Sequence, residues 1–154
     1  MDSKAQVVLD VIQAVQDRDA ETLDRLYHDE LEFHEAPSLP YGGELKGKNV
    51  LQAQLESAPE RTWLGVWAPL QPTEAERRMD PRVIAVDGDE VVVKYWTRGV
   101  SQEGERFESE VLALYEVRDG KFARAQMFHY DTAALNEFLA RARASSQIRP
   151  EQAS

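Results

Sequence analysis

Two carboxylates and an imidazole stand where strand alternation turns them toward one interior. In Leu31-Glu32-Phe33-His34-Glu35 the period of two puts Leu31, Phe33 and Glu35 on one face and Glu32 and His34 on the other. In the last strand Ala123, Ala125, Met127, His129 and Asp131 share a face, and Arg124, Gln126, Phe128 and Tyr130 share the opposite one. The small and apolar members mark the first set as the inner one. Glu35, His129 and Asp131 are therefore expected to converge on an apolar cavity, where burial and mutual repulsion separate pKa values and suit the groups to acid–base work. Simpler roles fit each of them as well. Glu35 lies just before Pro37 and would suit a solvated strand end, Asp131 precedes Thr132-Ala133-Ala134-Leu135 and suits a helix N-cap, and His129 suits a hydrogen-bonded core position.

Other chemistries find few residues. The chain has no cysteine, which removes disulfides, thiolate nucleophiles and cysteine metal sites. It has three histidines, His28, His34 and His129; His28, in Tyr27-His28-Asp29-Glu30, is expected in a surface turn and His34 should face away from His129, so no metal site is expected. Phosphate loops, dinucleotide glycine fingerprints and nucleophile elbows are missing from the sequence, so no organic cofactor is expected. The net charge of −10, without a basic stripe, argues against nucleic acid as a partner. No stretch is long and apolar enough for a membrane span, and the start Met1-Asp2-Ser3-Lys4 lacks the order of a secretory signal, so a soluble cytoplasmic protein is expected.

The elements that must position these groups are legible in outline. Val7, Val8, Val11, Ile12 and Val15 recur at helical spacing, and Asp19 can cap a second, shorter helix carrying Leu23, Leu26 and Tyr27. A short strand over 31–35, a turn at Tyr41-Gly42-Gly43 and a third helix ending before Pro59 follow. Residues 59–81 hold four of the seven prolines yet also Trp63, Leu64, Trp67, Leu70 and Met79, so they are expected to be irregular and to close over the pocket mouth. Strands are expected over 83–86, 91–97, 107–117 and 122–130, with Asp87-Gly88 and Asp119-Gly120 as hairpin turns. A short closing helix carries Leu135, Phe138 and Leu139. The reading is a single domain over residues 1–144 with a flexible tail over 145–154.

Helices first and a meander after them give an α+β arrangement: a curved, cone-shaped sheet wrapped around the N-terminal helices and enclosing one hydrophobic pocket. The run Phe33-His34-Glu35-Ala36-Pro37-Ser38-Leu39-Pro40-Tyr41-Gly42-Gly43, with Gly47 and a helix after it, resembles the early segment of the nuclear transport factor 2-like superfamily. Val117-Arg118-Asp119-Gly120-Lys121-Phe122 and Phe128-His129-Tyr130-Asp131 resemble its closing hairpin, particularly in SnoaL-like polyketide cyclases, and the likeness runs from about residue 5 to about 140. The resemblance implies a catalytic carboxylate at Glu35, as in ketosteroid isomerases, and a general acid/base at Asp131, as in the cyclases. It also exposes departures. The isomerases' first-helix tyrosine and third-meander-strand aspartate fall at Val11 and Ala113, and Ala113 also stands in place of a cyclase histidine.

The function expected on these grounds is cofactor-independent proton transfer on a small hydrophobic carbonyl compound of polyketide, terpenoid or steroid type, giving isomerisation, cyclisation or dehydration. The alternatives are epoxide opening by activated water and a non-catalytic binding module. Phe33, Tyr41, Trp63, Trp67, Trp96, Ala113 and Met127 are expected to line the ligand site, with Tyr95 a further candidate. Leu112 and Leu114 make one strand apolar on its second face too, which calls for a homodimer through the outside of the meander.

Overall fold

The computed structural model describes residues 2–148. It begins with α1 (Ser3–Asp17), whose Asp2 carboxylate accepts from the Lys4 and Ala5 amides, and α2 (Ala20–Leu26), capped by Asp19 as the sequence predicts. The apolar stripe of α1 buries Val8, Val11 and Ile12 against the sheet. β1 (Tyr27–Glu35) is longer than expected and is followed by β2 (Gly43–Lys46), a short edge strand that the sequence does not announce. After α3 (Lys48–Ser57) come β3 (Arg82–Asp87), β4 (Glu90–Val100), β5 (Arg106–Arg118) and β6 (Lys121–His129), and α6 (Thr132–Ile148) closes the fold.

The six strands form one curved, unclosed sheet in the order β2-β1-β6-β5-β4-β3. Every pairing is antiparallel except β1 with β6, which is parallel and brings the start of the chain beside its end. This is the α+β sheet-around-helices arrangement predicted from the sequence. The main core lies between α1 and the inner face of β4, β5 and β6, where Val91, Val93, Val111 and Ala113 are essentially inaccessible. A second cluster gathers Trp67, Leu70, Leu39, Leu135 and Phe138 under α6.

Three expectations need correction. Residues 59–81 are not irregular: they fold as a 3-10 turn (Pro59–Arg61), α4 (Trp63–Trp67), a second 3-10 turn (Ala68–Leu70) and α5 (Glu74–Arg77). Pro59 is the first residue of its turn and Pro69 the second of its own, positions where a missing N–H costs nothing, so they start structure instead of breaking it. The Glu76 carboxylate accepts from both the amide and the hydroxyl of Thr73 and fixes the start of α5. The closing helix is also not short. It carries residues 145–148, expected in the tail, and buries Ser145; the remainder of that tail lies outside the described residues. Finally, His28 lies in β1, with most of its side chain covered and its Nε2 against Asp119, and not in a surface turn.

Candidate active site

β1 ends with Glu35 pointing inward, as alternation requires, and β6 ends with His129 on the same inner face. Their side chains are 6% and 7% exposed, and His129 Nε2 lies 2.6 Å from Glu35 Oε1. The Ala36 amide also donates to Oε1, at 3.2 Å, which leaves Oε2 without a protein partner among the described residues. Parallel pairing of β1 with β6 is what makes this meeting possible, since the two residues are 94 positions apart.

Glu35 borders a cavity of about 390 Å³ enclosed by α1, α2, α3, the inner sheet face and residues 61–64. That volume is in the range of small-molecule sites, about 300–1,000 Å³. Its walls are mostly apolar: Val11, Ile12 and Val15 from α1, Leu51 and Leu55 from α3, and Phe33, Met79, Phe122 and Met127 around them.

Charged side chains, Arg18, Asp24, Glu44, Lys48 and Arg61, also border this cavity, and tyrosines add polarity around Glu35. Tyr41, Tyr95 and Tyr115 border the cavity, and burial, reinforced by the Glu35 charge, raises the pKa of each well above that of free tyrosine. They are therefore neutral hydrogen-bond donors facing a carboxylate. Tyr41 is held from behind, its hydroxyl oxygen accepting from the Trp67 indole at 3.0 Å, so its own proton is free to be donated. The turn that presents Tyr41 depends on Gly42, where a Cβ would lie 2.1 Å from the Ala36 carbonyl oxygen.

Of the residues named from sequence, Glu35, Phe33, Tyr41, Trp63 and Met127 border the cavity, and Tyr95 joins them. His129 stands behind Glu35. Asp131 does not converge with them: it is exposed, and its Oδ1 accepts from the Ala134 amide at 2.9 Å as the N-cap of α6. The chain leaves the strand after His129, so alternation no longer applies two residues later. Trp67 is fully buried in the second cluster, and Ala113 lies beneath the cavity wall in the main core. Trp96 faces outward, because its neighbours Tyr95 and Thr97 face in, and it stacks under Arg98. Tyr115, not among the residues the sequence singles out for the site, also borders the cavity, and the signal for it is the inner strand face it shares with Ala113 and Val117.

His34 pairs with Glu32 and Glu44 on the outer face, away from His129. Among the described residues no group of three or more histidine, aspartate or glutamate side chains is arranged to hold a metal ion.

Asp131→Asn should leave stability and any turnover nearly unchanged. Asp131→Ala should cost about 0.5–2 kcal/mol through loss of the cap, read as a lower denaturation midpoint without a change in ligand affinity.

Comparison with known proteins settles the family. The profile of the SnoaL-like domain matches residues 8–125. The chain belongs to this family. The same fold appears in similar solved structures. TerC, co-crystallised with polyporic acid, is 22% identical with a TM-score of 0.71, over 90% of this chain and 99% of that one. A Xanthomonas campestris protein with a cystatin-like fold is 20% identical with a TM-score of 0.70, over 88% and 97%. A proposed polyketide cyclase from the same species is 20% identical with a TM-score of 0.60, over 91% and 96%. No curated protein matches the chain. No helix among the described residues is long and apolar enough to cross a membrane.

Proposed function

We propose that this SnoaL-like protein catalyses cofactor-independent proton transfer on a small, largely apolar carbonyl compound. The observation that carries the reading is Glu35, buried at the wall of an apolar cavity and tied down through Oε1 with Oε2 unpartnered. In the reaction, Oε2 takes the proton from the carbon next to the substrate carbonyl, and the electron pair moves onto the carbonyl oxygen. The resulting enolate oxygen accepts a hydrogen bond from a neutral tyrosine, Tyr41 or the Tyr95 and Tyr115 pair. Glu35 then returns its proton to another carbon, completing an isomerisation, or the enolate carbon attacks a second carbonyl of the substrate and Glu35 gives its proton to the alkoxide so formed, completing a cyclisation. His129 keeps the carboxylate in place. The tyrosines thus take over the role that the missing residues at Val11 and Ala113 would have played.

Residues 61–64 cover the mouth in this reading, while Trp67 and Leu70 fasten the segment to the second cluster. The test begins with compounds that raise the melting temperature, polyporic acid among the first because a similar protein was crystallised with it. Deuterium uptake from solvent next to the carbonyl, followed by NMR, is the expected result. Ligands that bind without exchange or turnover would favour the binding module.

The protein should work as a homodimer, and its acidic, cysteine-free composition suits the cytoplasm. Leu112 and Phe128, 44% and 52% exposed, lie opposite each other on the outer face of β5 and β6. Lys94 and Glu110 neutralise each other at the edge of this patch, so two copies with net negative charge can meet there without repulsion. Sedimentation at micromolar concentration should give twice the chain mass, and Phe128→Arg should halve it. A single-chain mass for the wild type would remove the idea.

A further inference from the structure

The cavity's charged residues are unevenly matched. Apart from Glu35, its acids are already partnered: Asp24 meets Lys48 and Gln52, and Glu44 meets His34 and Lys46. Its arginines are not. Arg18, half-buried at the end of α1, borders the cavity and lays its guanidinium over the Trp63 ring at 5.4 Å. Its hydrogen bonds go to neutral oxygens, the Val15 carbonyl at 2.8 Å and the Gln71 side chain. No carboxylate pairs with it among the described residues.

Its surroundings add positive charge instead. Arg77 packs on the other side of buried Gln71, giving its own protons to the Gln71 and Pro72 carbonyls, and burial together with Arg77 disfavours the charged form of Arg18. Arg61 borders the same cavity and likewise forms no ion pair among the described residues. A chain with ten surplus negative charges has carboxylates to spare, yet leaves this end of its pocket cationic. A desolvated guanidinium without a counter-ion is costly unless a ligand supplies one.

We propose that Arg18 anchors an anionic oxygen group on the pocket's ligand, with the apolar body of the ligand reaching toward Glu35. This rests on the pocket reading above and narrows its substrates to acids: carboxylates or ionised enols on an apolar, flat skeleton. Trp63 backs the guanidinium, and only two of its five N–H donors are used, by the Val15 carbonyl and the Gln71 side chain.

Two fluorescent probes with nearly the same skeleton test it: 1-anilinonaphthalene-8-sulfonate, which is anionic, and N-phenyl-1-naphthylamine, which is neutral. Arg18→Gln should weaken the anionic probe by about 10-fold or more and the neutral one by less than about twofold. Arg18→Lys should fall between, and Arg82→Gln, which removes an exposed charge from β3, should alter neither. Displacement of the neutral probe by 2-naphthoate or by 2-hydroxy-1,4-naphthoquinone, lost in Arg18→Gln, then tells a carboxylate from an ionised enol. Equal weakening of both probes, unchanged affinity for the anionic one, or displacement by neither acid overturns the anchor. Failure of the neutral probe to bind the wild type overturns the pocket reading itself, and the anchor with it.

Discussion

Glu35→Gln should lower the rate of the proposed proton exchange by about 10²–10⁴-fold while ligand affinity and melting temperature change little. The amide keeps the shape of the side chain and can still meet His129 Nε2 and the Ala36 N–H, so the packing survives. What goes is the lone pair on Oε2 that would accept the proton. His129→Asn acts differently, because His129 touches the carboxylate and not the cavity. It frees Glu35 to turn away, and its defect should be smaller than that of Glu35→Gln. If the two act as one unit, the double variant is no slower than Glu35→Gln alone. Wild-type exchange in Glu35→Gln would leave ligand binding without catalysis as the better account.

Trp67→Ala has the largest expected cost in stability, about 3–5 kcal/mol, seen as a fall of about 10 °C in melting temperature. The indole is wholly buried, stacks on Phe138 with ring centres 6.2 Å apart, and lies so close to β4 that a Cβ at Gly99 would be 2.8 Å from it. Nothing nearby can collapse into that space without moving both α6 and the sheet. Trp67→Phe separates two roles. It keeps most of the packing but removes the N–H that holds the Tyr41 hydroxyl, so turnover should drop by more than the loss of stability explains. Equal turnover in Trp67→Phe and the wild type would take Tyr41 out of the enolate-stabilising role.

Periodicity made the scaffold legible, because each long element buries one face. The stripe on α1, the alternation in β4 and β5 and the turns at Gly88 and Gly120, where φ is positive, are local signals of non-local packing. β2 escaped because it is a short edge strand whose pairing with β1 depends little on burial. The segment 59–81 reads as irregular from the number of its prolines, whereas their position within a turn decides what they do.

At the site, alternation placed Glu35 and His129 correctly and failed at Asp131, where the strand had already ended. The same rule, applied to Tyr95 and Trp96 together, would have excluded Trp96, since adjacent strand residues cannot face the same way. A shift of register between Glu116 and Val117 lets both Phe122 and Ala123 be buried, which strict alternation forbids. Arg18 carried no signal at all. A lone arginine after a helix looks like solvent-facing charge until its missing counter-ion is visible.

The parallel seam between β1 and β6 also sets an order of events during synthesis. The hairpins β3–β4, β4–β5 and β5–β6 join neighbours in sequence and can close as they emerge, whereas β1 must wait for a strand made about ninety residues later. Until β6 is complete, β1 has no partner on one side and Glu35 has no histidine. The Glu35–His129 pair of the candidate site therefore forms only once the sixth strand is made, and a protein cut short before residue 121 would carry five of the six strands without that pair.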